Sequence, residues 1–351
     1  MFKRWAGAIV AAAILSTAAA HAEGPADFYK GKQIILVVGY GPGGGYDMYA
    51  RVIAQYLGKY IPGNPAVVVQ NMPGAGSLRS ANYLFSGAPK DGTVIGTFGR
   101  DIPLVGVLAG NPAVQFDPRR FTWLGSPSSY ANDAYLLWVR DDAAVKTVAD
   151  AQRPGGPPLN VGSTGEGGTG NDITVLLRDA LGLNIKLIPG YPDSNAESLA
   201  VEQKELDGHF LGLSATYTER PNWLKPGSGM HAMLQFARQT RHPLFPDTPT
   251  AEELAKTDRA RALIELAELP YTLSRPFVAP PGLPDDRAKA LQSGFLEMQK
   301  DPQYLAEVAK LQIDESPIDG PHALALIERL GQAPPELLDY MRKLHADSKG
   351  D

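Results

Sequence analysis

Short apolar runs alternate with glycine-rich loops along this chain. Residues 32–38 (KQIILVV) form a continuous apolar run with β-branched side chains, which is typical of a buried parallel strand. Residues 39–45 (GYGPGGG) follow, and neither a helix nor a strand could hold so many glycines. Between Tyr49 and Tyr60, apolar residues recur every three or four positions, which predicts an amphipathic helix. Strand, glycine loop and helix in this order indicate one unit of an α/β sheet.

The same order recurs along the rest of the chain. Further strands are predicted at residues 66–69, 93–98, 134–139, 158–162 and 185–188. A second glycine-rich loop, residues 163–170, leads into a helix whose apolar stripe covers residues 173–180. The extended apolar segment 273–280 predicts a return crossing, ahead of C-terminal helices. We therefore expect two α/β lobes: residues 23–138 with 275–351 in lobe 1, and residues 139–274 in lobe 2.

The first 22 residues have the pattern of a signal peptide. Lys3 and Arg4 form a short positive region, residues 5–15 are apolar, and residues 20–22 (AHA) form a small-x-small cleavage site. The apolar run is shorter than the ~20 residues that a membrane-spanning helix needs. We therefore expect cleavage after Ala22 and export to the periplasm. Without a cysteine after that site, a bacterial lipid anchor is not expected.

Composition narrows the function classes. The chain has 351 residues, of which 44% are hydrophobic and 20% charged, so it can form a large core and disorder is a poor description. The mature chain would carry 31 basic and 38 acidic residues, a net charge of −7, and no basic face predicts a nucleic-acid partner. The absence of cysteine excludes disulfides, thiolate metal sites and cysteine nucleophiles.

The glycine loops are candidate anion sites. In an open α/β sheet, ligands bind beyond the carboxyl ends of the strands. Each loop there precedes a helix, whose first turn has unpaired N–H groups and about half a positive charge. Residues 43–47 and 163–171 are the strongest candidates, because glycine there lets an anion approach the backbone. The alternative is that the glycines only make tight turns.

Two enzymatic alternatives have partial motifs. Residues 39–44 match the dinucleotide fingerprint G-x-G-x-x-G, but the second strand ends at Gln70 and Asn71, where the motif needs an acid for the ribose. Residues 212–216 (GLSAT) approach the G-x-S-x-G elbow around Ser214, with threonine in place of the last glycine. An exported hydrolase using Ser214 stays open as an alternative. No histidine pair has metal-ligand spacing, so neither a metal nor a cofactor is expected.

Five short motifs follow one another along the mature chain: residues 41–47 (GPGGGYD), 71–76 (NMPGAG), 89–93 (PKDGT), 162–168 (GSTGEGG) and 205–208 (ELDG). In this order they resemble the Bug family, the periplasmic solute receptors of tripartite tricarboxylate transporters. The resemblance covers nearly the whole mature chain. It implies a two-lobed type II periplasmic-binding-protein fold, a Venus-flytrap with hinge strands, which closes on a small organic carboxylate. It also implies delivery of that ligand to a large and a small integral-membrane transporter subunit. A sensory co-receptor with the same fold is a further alternative.

The resemblance and the loops together give a candidate ligand site. We expect the amides of Gly44, Gly45 and Tyr46 to bind one carboxylate, with Asp47 orienting that loop or contacting an amine. Arg100, after the third strand, is a candidate for a second carboxylate. Departures from the family pattern at Tyr46, Ser77, Asn171 and Tyr191 surround the expected ligand. The full set is Tyr40, Gly43, Gly44, Gly45, Tyr46, Asp47, Ala75, Gly76, Ser77, Arg100, Ser163, Thr164, Gly167, Thr169, Asn171 and Tyr191.

Overall fold

The strands of this protein form two separate mixed sheets. The computed structural model describes residues 24–108, 112–131, 133–165 and 168–347. The expected signal peptide and Gly167 lie outside the described residues. Helices flank both sheets, so the α/β class expected from the sequence is confirmed. Within the described ranges, no helix combines the length and the apolar character needed to cross a membrane.

The first four and the last two strands along the chain form one sheet, and the five strands between them form the other. The first sheet has the order β11-β4-β10-β3-β1-β2, with β1 parallel to β2 and β3, and β10 antiparallel to β3 and β4. The second has the order β7-β6-β8-β5-β9, with β6 parallel to β7 and β8. The strands are β1 Gln33–Val38, β2 Ala66–Asn71, β3 Val94–Thr97, β4 Thr122–Ser126, β5 Tyr135–Arg140, β6 Leu159–Ser163, β7 Ile185–Pro189, β8 Gly208–Gly212, β9 Met230–Phe236, β10 Phe277–Ala279 and β11 Ile318–Asp319.

Helices follow most of these strands. In order they are α1 Pro25–Tyr29, α2 Gly45–Leu57, α3 Leu78–Asn82, α4 Ile102–Leu108, α5 Val148–Ala151, α6 Thr169–Ala180, α7 Ser194–Glu202, α8 Leu213–Glu219, α9 Ala251–Leu254, α10 Asp258–Glu268, α11 Asp285–Met298, α12 Pro302–Leu311, α13 Gly320–Gly331 and α14 Pro335–Asp347. The chain returns to the first sheet through β10, inside the segment predicted as a return crossing. Helix α14 contacts both α4 and α6, so the C-terminus packs on elements beside both sheets.

Each sheet packs its apolar side chains against a long helix. On β1, Ile34, Leu36 and Val38 are fully buried against apolar residues of α2 such as Ile53 and Leu57, as the periodicity predicts. Burying a side chain of this size stabilises the fold by about 1.5–3 kcal/mol. The second sheet is packed in the same way against α6. The two helices are thereby held with their first turns at the carboxyl ends of β1 and β6.

The division into two lobes stays a prediction, and its expected boundaries can be compared with the strands of the two sheets. The expected boundary at residue 138 falls inside β5, all of which pairs with β9 in the second sheet. The other expected boundary, after residue 274, lies just before β10, which pairs in the first sheet. The chain therefore passes between the sheets twice, once before β5 and once before β10.

Candidate functional site

A cavity of about 50 Å³ lies between the two sheets, at the carboxyl ends of their parallel strands. This is the edge at which open α/β sheets bind ligands. Its lining comes from Tyr40, Gly44, Gly45, Tyr46, Arg100, Tyr135, Thr164, Thr169, Gly170, Asp193, Ser194, Glu197, Phe210, Leu211, Gly212, Ala215 and Arg275. Because the volume is small, any ligand enclosed there is a small molecule.

Three helices of eight residues or more begin at this cavity. Helix α2 begins at Gly45, α6 at Thr169 and α7 at Ser194, and each of these residues lines the cavity. The N-cap positions of α2 and α6 are Gly44 and Gly168, and neither has a side chain that caps the first turn. The first turns of α2 and α6 therefore bring backbone N–H groups without a capping side chain to this space, and all three helices direct the positive ends of their dipoles to it.

Two arginines supply formal positive charge to the cavity. Arg100 is 1% exposed and Arg275 is 3% exposed. Arg100 Nη1 and Arg275 Nε have no hydrogen-bond partner within the part of the chain that the structure describes. In that same part, neither guanidinium forms an ion pair with a carboxylate. Asp133 is near enough for the charge of Arg275 to oppose the rise of the Asp133 pKa on burial, but it makes no direct ion pair. Burying a cation without a direct ion pair is costly, so this arrangement favours an anion that comes from outside the chain.

Tyr46 lies between the two guanidinium groups. The backbone N–H and Nε of Arg100 donate to the Tyr46 hydroxyl oxygen at 3.0 and 3.3 Å. The guanidinium carbon of Arg275 lies 4.7 Å from the centre of the Tyr46 ring. Burial alone would raise the pKa of Tyr46, but Arg100 and Arg275 lower that pKa below its usual range. Tyr40 stacks on Tyr46 with ring centres 4.6 Å apart, which fixes the hydroxyl between the arginines.

Carboxyl groups line the opposite wall, which belongs to the second sheet. Asp193 caps α7 by accepting from the backbone N–H of Ala196 at 2.9 Å, and Glu197 lies one turn further along. Glu197 Oε2 is 3.0 Å from His209 Nδ1 on β8. Burial raises the pKa of Glu197, while the hydrogen bond from His209 opposes that shift. Burial likewise raises the pKa of Asp193. The cavity therefore has a cationic wall and an acidic wall.

The structure brings seven of the sixteen expected site residues into the cavity lining: Tyr40, Gly44, Gly45, Tyr46, Arg100, Thr164 and Thr169. Eight more are described but lie outside the lining: Gly43, Asp47, Ala75, Gly76, Ser77, Ser163, Asn171 and Tyr191. Gly167 lies outside the described residues. The lining includes parts of both glycine loops and the arginine after β3, so the expected set overlaps the cavity on both walls.

Asp47 orients the first glycine loop. Its Oδ2 accepts from the backbone N–H of Gly43 at 2.9 Å and from Arg51 Nε at 2.7 Å. Its Oδ1 accepts from Asn71 Nδ2 at 2.8 Å. Both carboxylate oxygens are therefore used within the loop and its neighbours. This geometry has the loop-orienting character expected of Asp47, and it turns the carboxylate away from the cavity lining.

Several of the remaining expected residues make hydrogen bonds outside the cavity lining, within the loops or between the two walls. Ser77 Oγ accepts from the backbone N–H of Gly99 at 2.7 Å, and Ser163 Oγ donates to Asn171 Oδ1 at 3.3 Å. The backbone N–H of Gly76 donates to the carbonyl of Thr164 at 3.2 Å.

A second backbone bond between the walls runs from Gly41 N–H to the Pro192 carbonyl, at 3.1 Å. Tyr191 donates its backbone N–H to Ser163, beside the cavity. The loops of the two sheets are thus in direct contact around the cavity.

Sequence reasoning missed the acidic wall and one arginine. Arg275 lies inside the apolar return segment, and a charge in such a run is a signal that could have identified it. Asp193 and Glu197 lie just after Tyr191, where the sequence departs from the family pattern, and that departure indicated the right segment but not these side chains. Tyr135 and Phe210, which stack with ring centres 5.8 Å apart, give no local signal because apolar strand residues are usually core.

Ser214 makes hydrogen bonds to the second sheet's lead-in segment and to the C-terminal segment. Its backbone N–H donates to Asp133 at 3.2 Å, and its Oγ accepts from the backbone N–H of Asp314 at 3.0 Å. His209, the histidine closest in sequence, is engaged with Glu197 and Ser198 instead. These contacts give Ser214 a structural place between the second sheet and the C-terminal segment.

Comparisons with known proteins extend over most of the chain. No family model matches it. It is 28% identical over 315 residues to the UPF0065 protein in the gbd 5′ region of Cupriavidus necator, covering 88% of this chain and 87% of that protein. It is 25% identical over 306 residues to a UPF0065 protein of Bordetella pertussis, covering 84% of this chain and 83% of that protein.

Solved structures share the fold. The periplasmic binding protein BugD superposes with a TM-score of 0.68 at 18% identity, covering 90% of this chain and 98% of BugD. MatC from Rhodopseudomonas palustris, solved with bound malate, gives 0.63 at 19% identity, covering 90% and 99%. A further R. palustris protein, solved with adipate, gives 0.67 at 20% identity, covering 90% and 98%. These likenesses confirm the resemblance of the chain to the Bug family and its periplasmic-binding-protein fold.

Proposed function

We propose that this protein is a periplasmic receptor that binds a small organic carboxylate in the cavity between its two sheets. The observation that carries the proposal is the pair of buried guanidinium groups, Arg100 and Arg275, which have unsatisfied N–H groups and face the first turns of α2 and α6. Guanidinium and carboxylate match in geometry and charge. An uncharged ligand would leave both cations unpaired.

The energetics fit a receptor of ordinary affinity. Hydrogen bonds to charged groups contribute about 1.5–3 kcal/mol each. Micromolar binding needs about 8 kcal/mol. Hydrogen bonds from the two arginines and from the amides at the starts of two helices could therefore supply the binding free energy of a micromolar complex, after the cost of ordering the ligand. Malate and adipate, named with two structural neighbours, are both small organic carboxylates.

Closure of the two walls would follow from binding. A ligand shifts an open–closed equilibrium only by its differential affinity for the closed state. A carboxylate held by Arg100 and Arg275 on one wall and by the first turn of α6 on the other gains most contacts when the walls meet. The backbone bonds from Gly41 to Pro192 and from Gly76 to Thr164 would then seal the cavity. Large and small membrane subunits of a tripartite transporter would recognise this closed form.

The experiment is a thermal-shift screen of the chain from residue 23 onward against mono-, di- and tricarboxylates, with a neutral sugar and an organic cation as controls. At a ligand concentration 100-fold above the dissociation constant, the unfolding free energy should rise by about 2.7 kcal/mol. Stabilisation by the sugar or the cation, with no response to any carboxylate, would overturn the proposal.

Two further measurements separate the alternatives. A receptor returns its ligand unchanged, so mass spectrometry of the bound molecule after long incubation should find no product. A hydrolase would release one. Deletion of the gene should abolish uptake of the ligand if the protein serves transport, whereas a sensory co-receptor would leave uptake intact and change only the response to the ligand.

A further inference from the structure

Three tyrosine rings lie around the guanidinium group of Arg100. The guanidinium carbon is 4.6 Å from the ring centre of Tyr271, 4.8 Å from that of Tyr130 and 5.3 Å from that of Tyr135. A cation within about 6 Å of an aromatic ring centre is attracted by the negative face of the ring. We call these three rings the tyrosine cage.

The rings of the cage also hold one another. The ring centre of Tyr271 is 5.3 Å from that of Tyr130 and 5.5 Å from that of Tyr135, in both cases edge to face. This is a favourable geometry for aromatic pairs. Phe236 on β9 packs edge-on against Tyr271 from outside the cage, with ring centres 5.3 Å apart. All four rings belong to the hydrophobic core of the second sheet, so this core fixes the shape of the cage.

The cage and its cation come from different parts of the fold. Arg100 follows β3, which belongs to the first sheet. Tyr135 begins β5 of the second sheet, Tyr130 lies in the crossing before β5, and Tyr271 lies just before the other crossing. Arg100 therefore reaches from the first sheet to the core of the second, and it meets the cage where the two sheets join.

Aromatic rings can hold a cation without neutralising it. A carboxylate partner within the chain would pair with Arg100 and compete with a ligand carboxylate. The ring faces leave the formal charge in place, and Arg100 Nη1 has no hydrogen-bond partner among the described residues. The hydroxyl groups of Tyr130 and Tyr271 have none there either. The contacts to the guanidinium group are therefore made by the ring faces of these tyrosines.

We propose that Tyr130, Tyr135 and Tyr271 are positioning residues, which hold Arg100 in the orientation in which a ligand carboxylate meets it. This inference rests on the proposed receptor function and adds how its site is prepared before the ligand arrives. An arginine side chain that is mobile in the free protein loses rotamer freedom when a ligand binds, and that loss lowers the affinity. The cage orders Arg100 during folding, so the ligand is spared this loss.

Tyr271 is the position for the test, because its ring is the closest to Arg100 and lies outside the cavity lining. Tyr271→Leu removes the aromatic face and should weaken carboxylate binding by about 3- to 10-fold, the equivalent of ordering one long side chain on binding. Tyr271→Phe keeps the face and removes only the hydroxyl, so it should bind like the wild type. If Tyr271→Leu does not fold, Tyr130→Leu and Tyr130→Phe give the same comparison, since Tyr130 also lies outside the lining.

Phe236→Leu is the matched control. Phe236 is fully buried in the same core and contacts Tyr271, but it neither belongs to the cage nor lines the cavity. The variant should lower the unfolding free energy, as Tyr271→Leu does, and leave the affinity for the carboxylate unchanged. If Tyr271 only supported the core, both variants would weaken binding alike.

Calorimetric titrations of the mature chain at pH 7 use acetate, succinate and citrate, one member of each class in the thermal screen. The carboxylate that binds most tightly to the wild type is then titrated into every variant, and urea unfolding verifies that each variant is folded. Unchanged affinity in Tyr271→Leu, an equal loss in Tyr271→Phe, or an equal loss in Phe236→Leu would overturn the inference and leave the carboxylate receptor intact. A wild-type protein that binds none of the three carboxylates would overturn the receptor proposal, and this inference with it.

Discussion

Substitution of Arg275 by glutamine separates a ligand-binding arginine from a structural one. Arg275 is 3% exposed, its Nε has no partner in the described chain, and its Nη1 donates only to the neighbouring Ser274 carbonyl at 3.2 Å. Its guanidinium carbon lies 4.7 Å from the Tyr46 ring centre and 5.0 Å from that of Tyr49. The side chain therefore gives up hydration for few contacts within the protein.

The two possible roles predict opposite signs for the stability change. A buried cation costs several kcal/mol of desolvation. Two cation–π contacts return about 0.5–2 kcal/mol each. Removing the charge should therefore leave the ligand-free protein as stable as before, or more stable. The same change should remove at least one charged hydrogen bond to the ligand, worth about 1.5–3 kcal/mol, and weaken binding by about 10- to 150-fold.

The assay combines urea unfolding without ligand and calorimetric titration with the best carboxylate from the thermal screen. Arg140→Gln is the control, because Arg140 is paired with Asp207 at 3.2 Å and bonds the Leu206 carbonyl at 3.0 Å, away from the cavity. It should lower stability and leave binding unchanged. The reasoning is refuted if Arg275→Gln destabilises the ligand-free protein by more than about 2 kcal/mol while the ligand affinity stays the same.

Three other predictions concern the first glycine loop and Ser214. Asp47→Asn should lower the unfolding free energy at pH 7 by about 1–2 kcal/mol. Burial raises the pKa of Asp47, but hydrogen bonds from Arg51, Gly43 and Asn71 outweigh burial and hold that pKa below its usual value. In urea unfolding at a series of pH values, the stability difference between the wild type and the variant should therefore disappear as the pH falls through the native pKa. Gly41→Ala should weaken ligand binding at least tenfold with little change in ligand-free stability, because a Cβ there would lie 2.3 Å from Asp193 Oδ2, where the loops of the two sheets meet in the closed form; calorimetry with unchanged affinity would contradict this. Ser214→Ala should leave ligand affinity unchanged, and any ligand turnover that this variant abolishes would contradict the receptor function.

Local signals predicted the first glycine loop and Arg100, but not Arg275, on the cationic wall of the site. The apolar run of β1, before Gly39, and the apolar stripe of α2, after Gly45, are clear in the sequence because both pack into the same hydrophobic core. The position of Arg100 follows from β3, since a residue just beyond the carboxyl end of a parallel strand lies at the ligand edge of the sheet.

The acidic wall could not be predicted from the hydrophobic pattern, because its buried residues are polar. Helix α7 buries Glu197 and Ser198 on the face where an ordinary helix buries apolar side chains, so its hydrophobic period is weak. Strand β8 likewise carries the fully buried His209. Their partners are 11 and 12 residues away in sequence, and only the fold brings them within 3.0 Å. The pairing of β5 with β8 and β9 is equally non-local, and the sequence around residue 138 therefore did not show to which sheet this strand belongs.

The central claim is that a carboxylate binds between Arg100 and Arg275, inside the cavity between the sheets. A crystal structure of the mature protein with its tightest-binding carboxylate tests this most directly. The claim predicts carboxylate oxygens at about 2.7–3.2 Å from Arg100 Nη1 and from the Arg275 guanidinium. A carboxylate bound elsewhere on the protein, with both arginines still unpaired in the ligand-bound state, would contradict it.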